Sequence, residues 1–188
     1  PSPFPTVPRA GFLVYDHAMA WSDDPVRQYP NRYAQYGKHP VSFLHDFKRL
    51  FEEMERRDVA RLIAWGLFRT KHGGEDYVHE ILKLAERHGI SVYAGVGVNA
   101  YGGAVFDAEH PFNLGTWLKR HPEYAAVRRN PMPVLHGAVG RERACPSKPE
   151  NALWLKYSVK WLFENFAFAG VHFEAGPPDG CQIGRAHV

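Results

Sequence analysis

Cysteine is scarce in this chain. Cys145 and Cys181 are the only two in 188 residues, too few for a disulfide framework. They could pair or stand as two thiols, so the redox compartment stays open. Long apolar runs are missing as well. None approaches the roughly 20 residues of a membrane helix, and no membrane partner is expected. Charge of one sign is not in excess. Lys and Arg number 23 against 20 Asp and Glu, a formal net charge of +3. Basic residues cluster no further than pairs such as Arg56-Arg57 and Arg128-Arg129. That leaves no nucleic-acid footprint and no polybasic surface patch. A signal peptide is absent too. This absence carries little weight, because the chain begins at Pro1 and not at Met. The true N-terminus is expected to be missing or processed. A soluble protein is expected. Its compartment is open between secreted, periplasmic and other settings, and so is its oligomeric state.

What the chain does have is a supply of core residues. Hydrophobic residues make up 45% and aromatic residues 14%, more than a disordered chain carries. The two ends differ from the middle. Four prolines fall within residues 1–8 and favour extended backbone, so 1–10 reads as a linker or a run-in to the first strand. At the other end, Ile183-Gly184-Arg185-Ala186-His187-Val188 reads like one translated frame of a sequencing adapter. Residues 182–188 are therefore expected to be a non-native tail, with a natural polar tail as the alternative. The folded unit is expected over 11–181.

Between these ends strands alternate with helices. Phe12-Leu13-Val14-Tyr15 is a short strand-type run. Residues 43–57 place Phe43, Leu44, Phe47, Leu50, Phe51 and Met54 on one helical face, with Ser42 as the expected N-cap. Arg61 to Phe68 reads as the second strand. A helix over about 76–88 follows, with Gly89 at the position of a C′ glycine. Ile90 to Asn99 reads as the third strand. Its Val92, Ala94, Val96 and Val98 share one face; Tyr93, Gly95, Gly97 and Asn99 share the other. The valine face suits outer helices, and the small-residue face suits a crowded interior. Residues 101–146 form a long, Pro-rich connection, with a short helix expected over 113–120. Ser147-Lys148-Pro149-Glu150 has the pattern of a capping box. The helix it opens is expected to reach about Phe166, before a fourth strand at Val171-His172-Phe173-Glu174.

This alternation predicts right-handed βαβ units and a parallel sheet. A doubly wound sheet and a (β/α)8 barrel both satisfy it. No Gly-x-Gly-x-x-Gly turn follows the first strand, and polar residues gather after strand ends, where barrels build their sites. A barrel needs about 250 residues and eight units. The reading is therefore α/β: the first half, about four β/α units, of a parallel (β/α)8 TIM barrel cut after its fourth strand.

Glu174 is the first candidate for chemistry. A carboxylate at a strand end can protonate a leaving oxygen or attack an anomeric carbon, and glycosidases pair two of them. An ion pair or a turn cap is its bland alternative. Asp179 is the second candidate, although Asp-Gly is also a standard turn pair. His172 shares a strand face with Glu174. His-x-Glu could be a metal pair, but two ligands are too few for a site, and a satisfied histidine at the mouth is the preferred role. No metal and no cofactor are expected. Asp16, His17, Arg69, His72, Asn99 and Tyr101 would line the same mouth and bond to substrate hydroxyls or carboxylates. Trp21, Trp65 and Tyr101 could stack on a sugar ring, although each aromatic alone is more often core.

Several stretches resemble known enzymes. Pro8-Arg9-Ala10-Gly11-Phe12 resembles the opening of β-N-acetylhexosaminidase-like and α-glucuronidase-like barrels. LAERHGISVYAGVGVNAYGG is similar to their second helix and third strand, and WLKRHPEYAAV to a loop of uncharacterised barrel glycosidases. ACPSKPENALWLKYSVKWLFENF with GVHFEAGPPDGC is similar to a Cys-Pro-Ser-x-Pro-Glu helix and an acidic fourth strand. The resemblance implies a glycoside hydrolase acting on a carbohydrate substrate. Hexosaminidases end this strand in a Gly-Gly-Asp-Glu type motif. Here Glu174 is followed by Ala175-Gly176-Pro177-Pro178-Asp179, so the adjacent Asp-Glu pair is absent and uncharacterised glycosidase-like barrels are the nearer likeness. Two other functions compete: a carbohydrate-binding barrel without catalysis, and a metal-dependent sugar isomerase or epimerase prompted by His172 and Glu174.

Overall fold

The computed structural model describes residues 12–16, 40–68, 74–105, 109–126 and 142–176. Strand β1 is Phe12–Asp16, followed by helix α1, Pro40–Arg56, and β2, Arg61–Trp65. Helix α2 is Gly74–Arg87, β3 is Ser91–Gly97 and α3 is Leu114–Arg120. A short 3-10 turn at Pro122–Tyr124 leads toward α4, Pro149–Asn165, and β4, Gly170–Glu174. The four strands form one sheet in the order β1-β2-β3-β4, and every pairing is parallel. The fold is thus α/β with a parallel sheet, as the alternation predicts.

The sequential strand order decides where the helices lie. Each crossover steps one strand in the same direction. Crossovers of one hand then place all the helices on one face of the sheet. The packing agrees. Leu62 and Ala64 of β2 and Val92, Ala94 and Val96 of β3 join one core with Phe47, Phe51 and Met54 of α1. Val78, Ile81, Leu82 and Ala85 of α2 and Leu162 of α4 complete it, with Phe166 and Phe168 closing the bottom. The valine face of β3 meets the helices as expected.

Two helices end in the same way. The Ile90 amide donates to Ala85 O at 2.9 Å and the Gly89 amide to Glu86 O at 3.0 Å, with Gly89 at φ +64°. This is the Schellman pattern, and a C′ residue in the left-handed region is what it requires. Helix α1 repeats it without glycine. Val59 N–H donates to Met54 O at 2.9 Å and Asp58 N–H to Glu55 O at 3.2 Å, with Asp58 at φ +59°. Asp tolerates that region better than most residues do.

The helix starts differ from the sequence reading. Helix α1 begins at Pro40, so Ser42 lies inside its first turn and is not the N-cap. Proline suits the first helical position, where its missing N–H has no partner to lose. For the same reason α4 begins at Pro149, which makes Lys148 its N-cap, with no side-chain cap bond. Glu150 is then the second helical residue, one position short of the third-residue place that a capping box gives its Glu. Two strands are shorter than expected. β2 ends at Trp65, where Gly66 turns to φ +69°, and β3 ends at Gly97.

Helix α3 is capped from a different source. Asn113 Oδ1 accepts from the Thr116 amide at 2.9 Å, and Asn113 Nδ2 donates to Val105 O at 2.9 Å. The side chain is buried. Asn113→Ala removes the cap and strands Val105 O, so a loss of about 1–2 kcal/mol is expected. Urea unfolding checks this; an unchanged midpoint contradicts it.

A second cluster packs α3 against the start of α4, through Leu114, Leu118, Ala144 and Trp154. Asn151 holds it together. Its Oδ1 accepts from Trp117 Nε1 at 2.8 Å, and its Nδ2 donates to both Tyr124 O and Cys145 O at 2.9 Å. Cys145 is buried in this region, and Cys181 lies outside the described residues. Desolvation, then the charges of Glu150 and Glu123, push the Tyr124 phenol above its usual range.

Candidate functional site

The register aligns residues from four strands in one row. Asp16 pairs with Trp65 across β1 and β2, and Gly95 pairs with His172 across β3 and β4. The β2–β3 register pairs Ala64 with Ala94, so Trp65 stands beside Gly95. One residue on each strand therefore shares the row Asp16, Trp65, Gly95, His172. The row above it holds Gly97 and Glu174, which are paired directly. His172 and Glu174 share a face of β4 because strand side chains alternate.

Gly95 lets this row close. A Cβ there would stand 2.3 Å from Trp65 Cδ2 and 2.5 Å from its Cε2 and Cγ. The indole lies flat over the glycine and reaches across to the fourth strand. Trp65 and His172 meet edge to face at 5.8 Å between centroids and 80°. Trp65 meets Tyr101 at 6.5 Å and 80°. Gly95→Ala must displace a buried, rigid indole. The expected loss is about 1–3 kcal/mol, with a changed near-UV signal from Trp65. A wild-type melting temperature and spectrum in this variant would contradict the packing described.

The loop after β3 folds back over the row. Tyr101, Gly102 and Gly103 run consecutively at positive φ, 58°, 78° and 78°, and Gly97 N–H donates to Gly103 O at 3.1 Å. Asn99 joins three segments. Its Oδ1 accepts from the Gly176 amide at 2.7 Å, and its backbone carbonyl accepts from the Ala144 amide at 2.9 Å. Val98 N–H donates to Glu174 O at 2.9 Å. The chain after β4 is thus tied to the end of β3 on both sides of Ala175. With its side-chain oxygen engaged by Gly176, Asn99 fixes the two residues that follow Glu174.

Four of the sequence candidates are therefore gathered at these strand ends: Asn99, Tyr101, His172 and Glu174. Glu174 and His172 are solvent-exposed and Tyr101 is half-buried. Asp16 sits in the row by backbone register. His17, Trp21, Arg69, His72 and Asp179 lie outside the described residues. Among the described residues no group of three or more His, Cys, Asp and Glu is placed to hold a metal, and no helix is long and apolar enough to cross a membrane. A solvent-exposed carboxylate, an imidazole and a wall of aromatic edges suit proton transfer to a hydroxyl-rich ligand and contact with its ring.

The sequence reading missed a second feature. A cavity of about 720 Å³ lies between α3 and α4, walled by Trp117, Trp154 and Trp161. The signal was present. Trp154, Tyr157 and Trp161 recur at helical spacing, on the side of α4 next to the stripe assigned to Leu155, Val159, Leu162 and Phe166.

Neither protein-family models nor curated proteins give a match to this sequence. Solved structures do match it. A maltogenic α-amylase from Thermotoga neapolitana superposes with a TM-score of 0.56 at 13% identity, over 88% of this chain and 39% of its own. An α-amylase from Geobacillus thermoleovorans, determined with acarbose, gives 0.54 at 12% identity, over 86% and 39%. A β-N-acetylhexosaminidase matches at 0.48 and 15% identity, over 77% and 36%. The chain spans about two fifths of the length of the amylases it matches. At these identities the likeness is one of fold, and the fold is that of glycoside-hydrolase structures, as the sequence resemblance implied.

Proposed function

We propose that the chain is the first half of a (β/α)8 barrel whose complete form hydrolyses glycosidic bonds, with Glu174 as acid/base or nucleophile. The observation that carries the reading is the position of Glu174. It ends a parallel strand directly above an aromatic row, on a chain segment tied down by Asn99. Strand C-terminal ends are where barrel enzymes hold their reacting groups. The match to amylase structures over two fifths of their length supports the half-barrel part. So does the exposure of β4. Strand β3, paired on both sides, is buried at five of seven positions, whereas β4 has no buried position. Phe173 stands 49% exposed there. A further strand alongside β4 would cover that ring and satisfy an edge that otherwise invites aggregation.

In this reading the Glu174 carboxyl gives its proton to the leaving glycosidic oxygen, or its carboxylate attacks the anomeric carbon. The partner carboxylate comes from Asp179, Asp16 or a later strand end, and the separation of the pair sets the stereochemical outcome. Trp65, with Tyr101 beside it, backs the sugar ring, and His172 bonds to a hydroxyl. The test is release of nitrophenol from aryl α- and β-glycosides by the complete gene product. Release above the buffer rate with at least one glycoside is expected. No release with any of them overturns the hydrolase reading.

One observation favours a second reading, a carbohydrate-binding barrel without catalysis. The turn after Glu174 lacks the adjacent Asp-Glu pair. Saturable sugar binding with no hydrolysis would select it.

A further inference from the structure

The cavity between α3 and α4 shares no lining residue with the strand-end row. Its volume, about 720 Å³, falls within the usual range for small-molecule sites. Its walls are aromatic, and their polar handles are already used. Trp117 Nε1 donates to Asn151 at 2.8 Å and Trp154 Nε1 to Pro111 O at 3.0 Å. Trp154 is buried, so the ring surface open to a ligand is that of the part-exposed Trp117 and Trp161 and of Tyr157. Trp117 and Trp154 lie nearly parallel, 6.1 Å apart at 18°, and Tyr157, 52% exposed, stands at the cavity on α4.

The polar lining narrows the ligand further. Arg120, Lys160, Glu150 and Glu164 all line the cavity, and Lys160 pairs with Glu164 at 3.4 Å. The charges balance, which favours neither an anion nor a cation. Glu150 Oε2 is shut off from solvent and has no hydrogen-bond partner among the described residues. An unpaired carboxylate oxygen in such surroundings is unfavourable until it receives a donor. A purely apolar ligand brings none. A saccharide brings both things the cavity asks for, a C–H ring face for the aromatics and hydroxyl donors for the carboxylate.

We infer that this cavity is a second saccharide site, taking a neutral sugar of one or two rings against the Trp117 and Tyr157 side of the wall. A rotation of the part-buried Glu150 side chain lets Oε2 accept a sugar hydroxyl. The site goes beyond the strand-end reading and does not depend on it.

The test is titration of the intrinsic tryptophan fluorescence of the chain with maltotriose, cellotriose and chitotriose, with tetramethylammonium chloride as the cationic comparison. At least one sugar should give a saturable change. Tyr157→Ala should weaken it roughly tenfold through lost ring contact, and Glu150→Gln by a similar factor through the loss of a charged acceptor. Tyr157 is half-exposed, so its removal does not unfold the helix, and circular dichroism checks that. No saturable change with any sugar overturns the inference. So does saturation that keeps its wild-type affinity in both Tyr157→Ala and Glu150→Gln, which assigns the sugar to another surface. Saturation by tetramethylammonium alone makes the cavity a cation site and also overturns it. Failure of hydrolysis with this binding intact counts against the proposed activity and not against this site.

Discussion

Glu174→Gln in the complete gene product should lower kcat by about 10²–10⁴-fold, the usual contribution of a positioned acid or base. Gln keeps the size of Glu and one acceptor oxygen. It cannot give up a proton at the leaving oxygen, nor can it carry the negative charge that attacks an anomeric carbon. The substrate contacts from the aromatic row are untouched, so KM should move little. The split between kcat and KM is what separates a reacting group from a binding one. Because Glu174 is a solvent-exposed residue at a strand end, the substitution should leave the melting temperature near that of the wild type. Initial rates with the best aryl glycoside, measured beside a thermal melt, check both halves. Unchanged turnover rules out the role. Loss of turnover together with loss of the folded state says only that the strand end was damaged, and Glu174→Asp then decides. Asp keeps the charge but withdraws the carboxyl by one methylene, so slow residual turnover in a folded variant is the expected result.

Asn151→Ala should be the most destabilising single change in the region over the strand ends, by roughly 3 kcal/mol. The side chain is buried, and it makes three hydrogen bonds, to Trp117 Nε1, Tyr124 O and Cys145 O. Each intramolecular bond contributes about 1 kcal/mol net, and a buried partner left unpaired adds its desolvation. Alanine removes all three bonds and leaves Trp117 Nε1 without its acceptor, while Tyr124 O and Cys145 O keep the backbone amides of Cys145 and Lys148. The loss is local in origin, because Asn151 ties α4 to the segments at 117, 124 and 145 and not to the main core. Amide exchange should therefore accelerate in α3 and the first turn of α4 more than in β2 and β3. Uniform acceleration, or a loss below 1 kcal/mol, would contradict this account of the cluster.

These two residues also mark what the sequence made legible. Glu174 could be found because a polar residue at the end of a short apolar run announces a strand end. Asn151 could not. It occupies a buried helical stripe with Trp154, Ser158 and Leu162, and a pattern reading assigns such stripes by their apolar members. The parallel α/β order was readable from alternating periodicities, and the Gly89 helix end from its position. The matching end at Asp58 was not, since Asp in the left-handed region leaves no sequence mark as strong as glycine. Ser42 and Ser147 misled for a shared reason. Proline two residues away in either direction set the helix start, and it outweighed the capping preference of serine. Gly95 was placed on the small-residue face correctly. That the space belongs to Trp65 depends on the register of β2 against β3, which no local pattern carries.

Reading the source gene across and beyond the codon for Cys181 tests the central claim most directly. A half barrel predicts that the frame continues through about four further strand–helix units, with a carboxylate at one of the new strand ends to partner Glu174. A frame that stops at Val188 would contradict it. The four-stranded sheet would then be a complete small α/β protein, and the strand-end glycosidase reading would fall with the barrel.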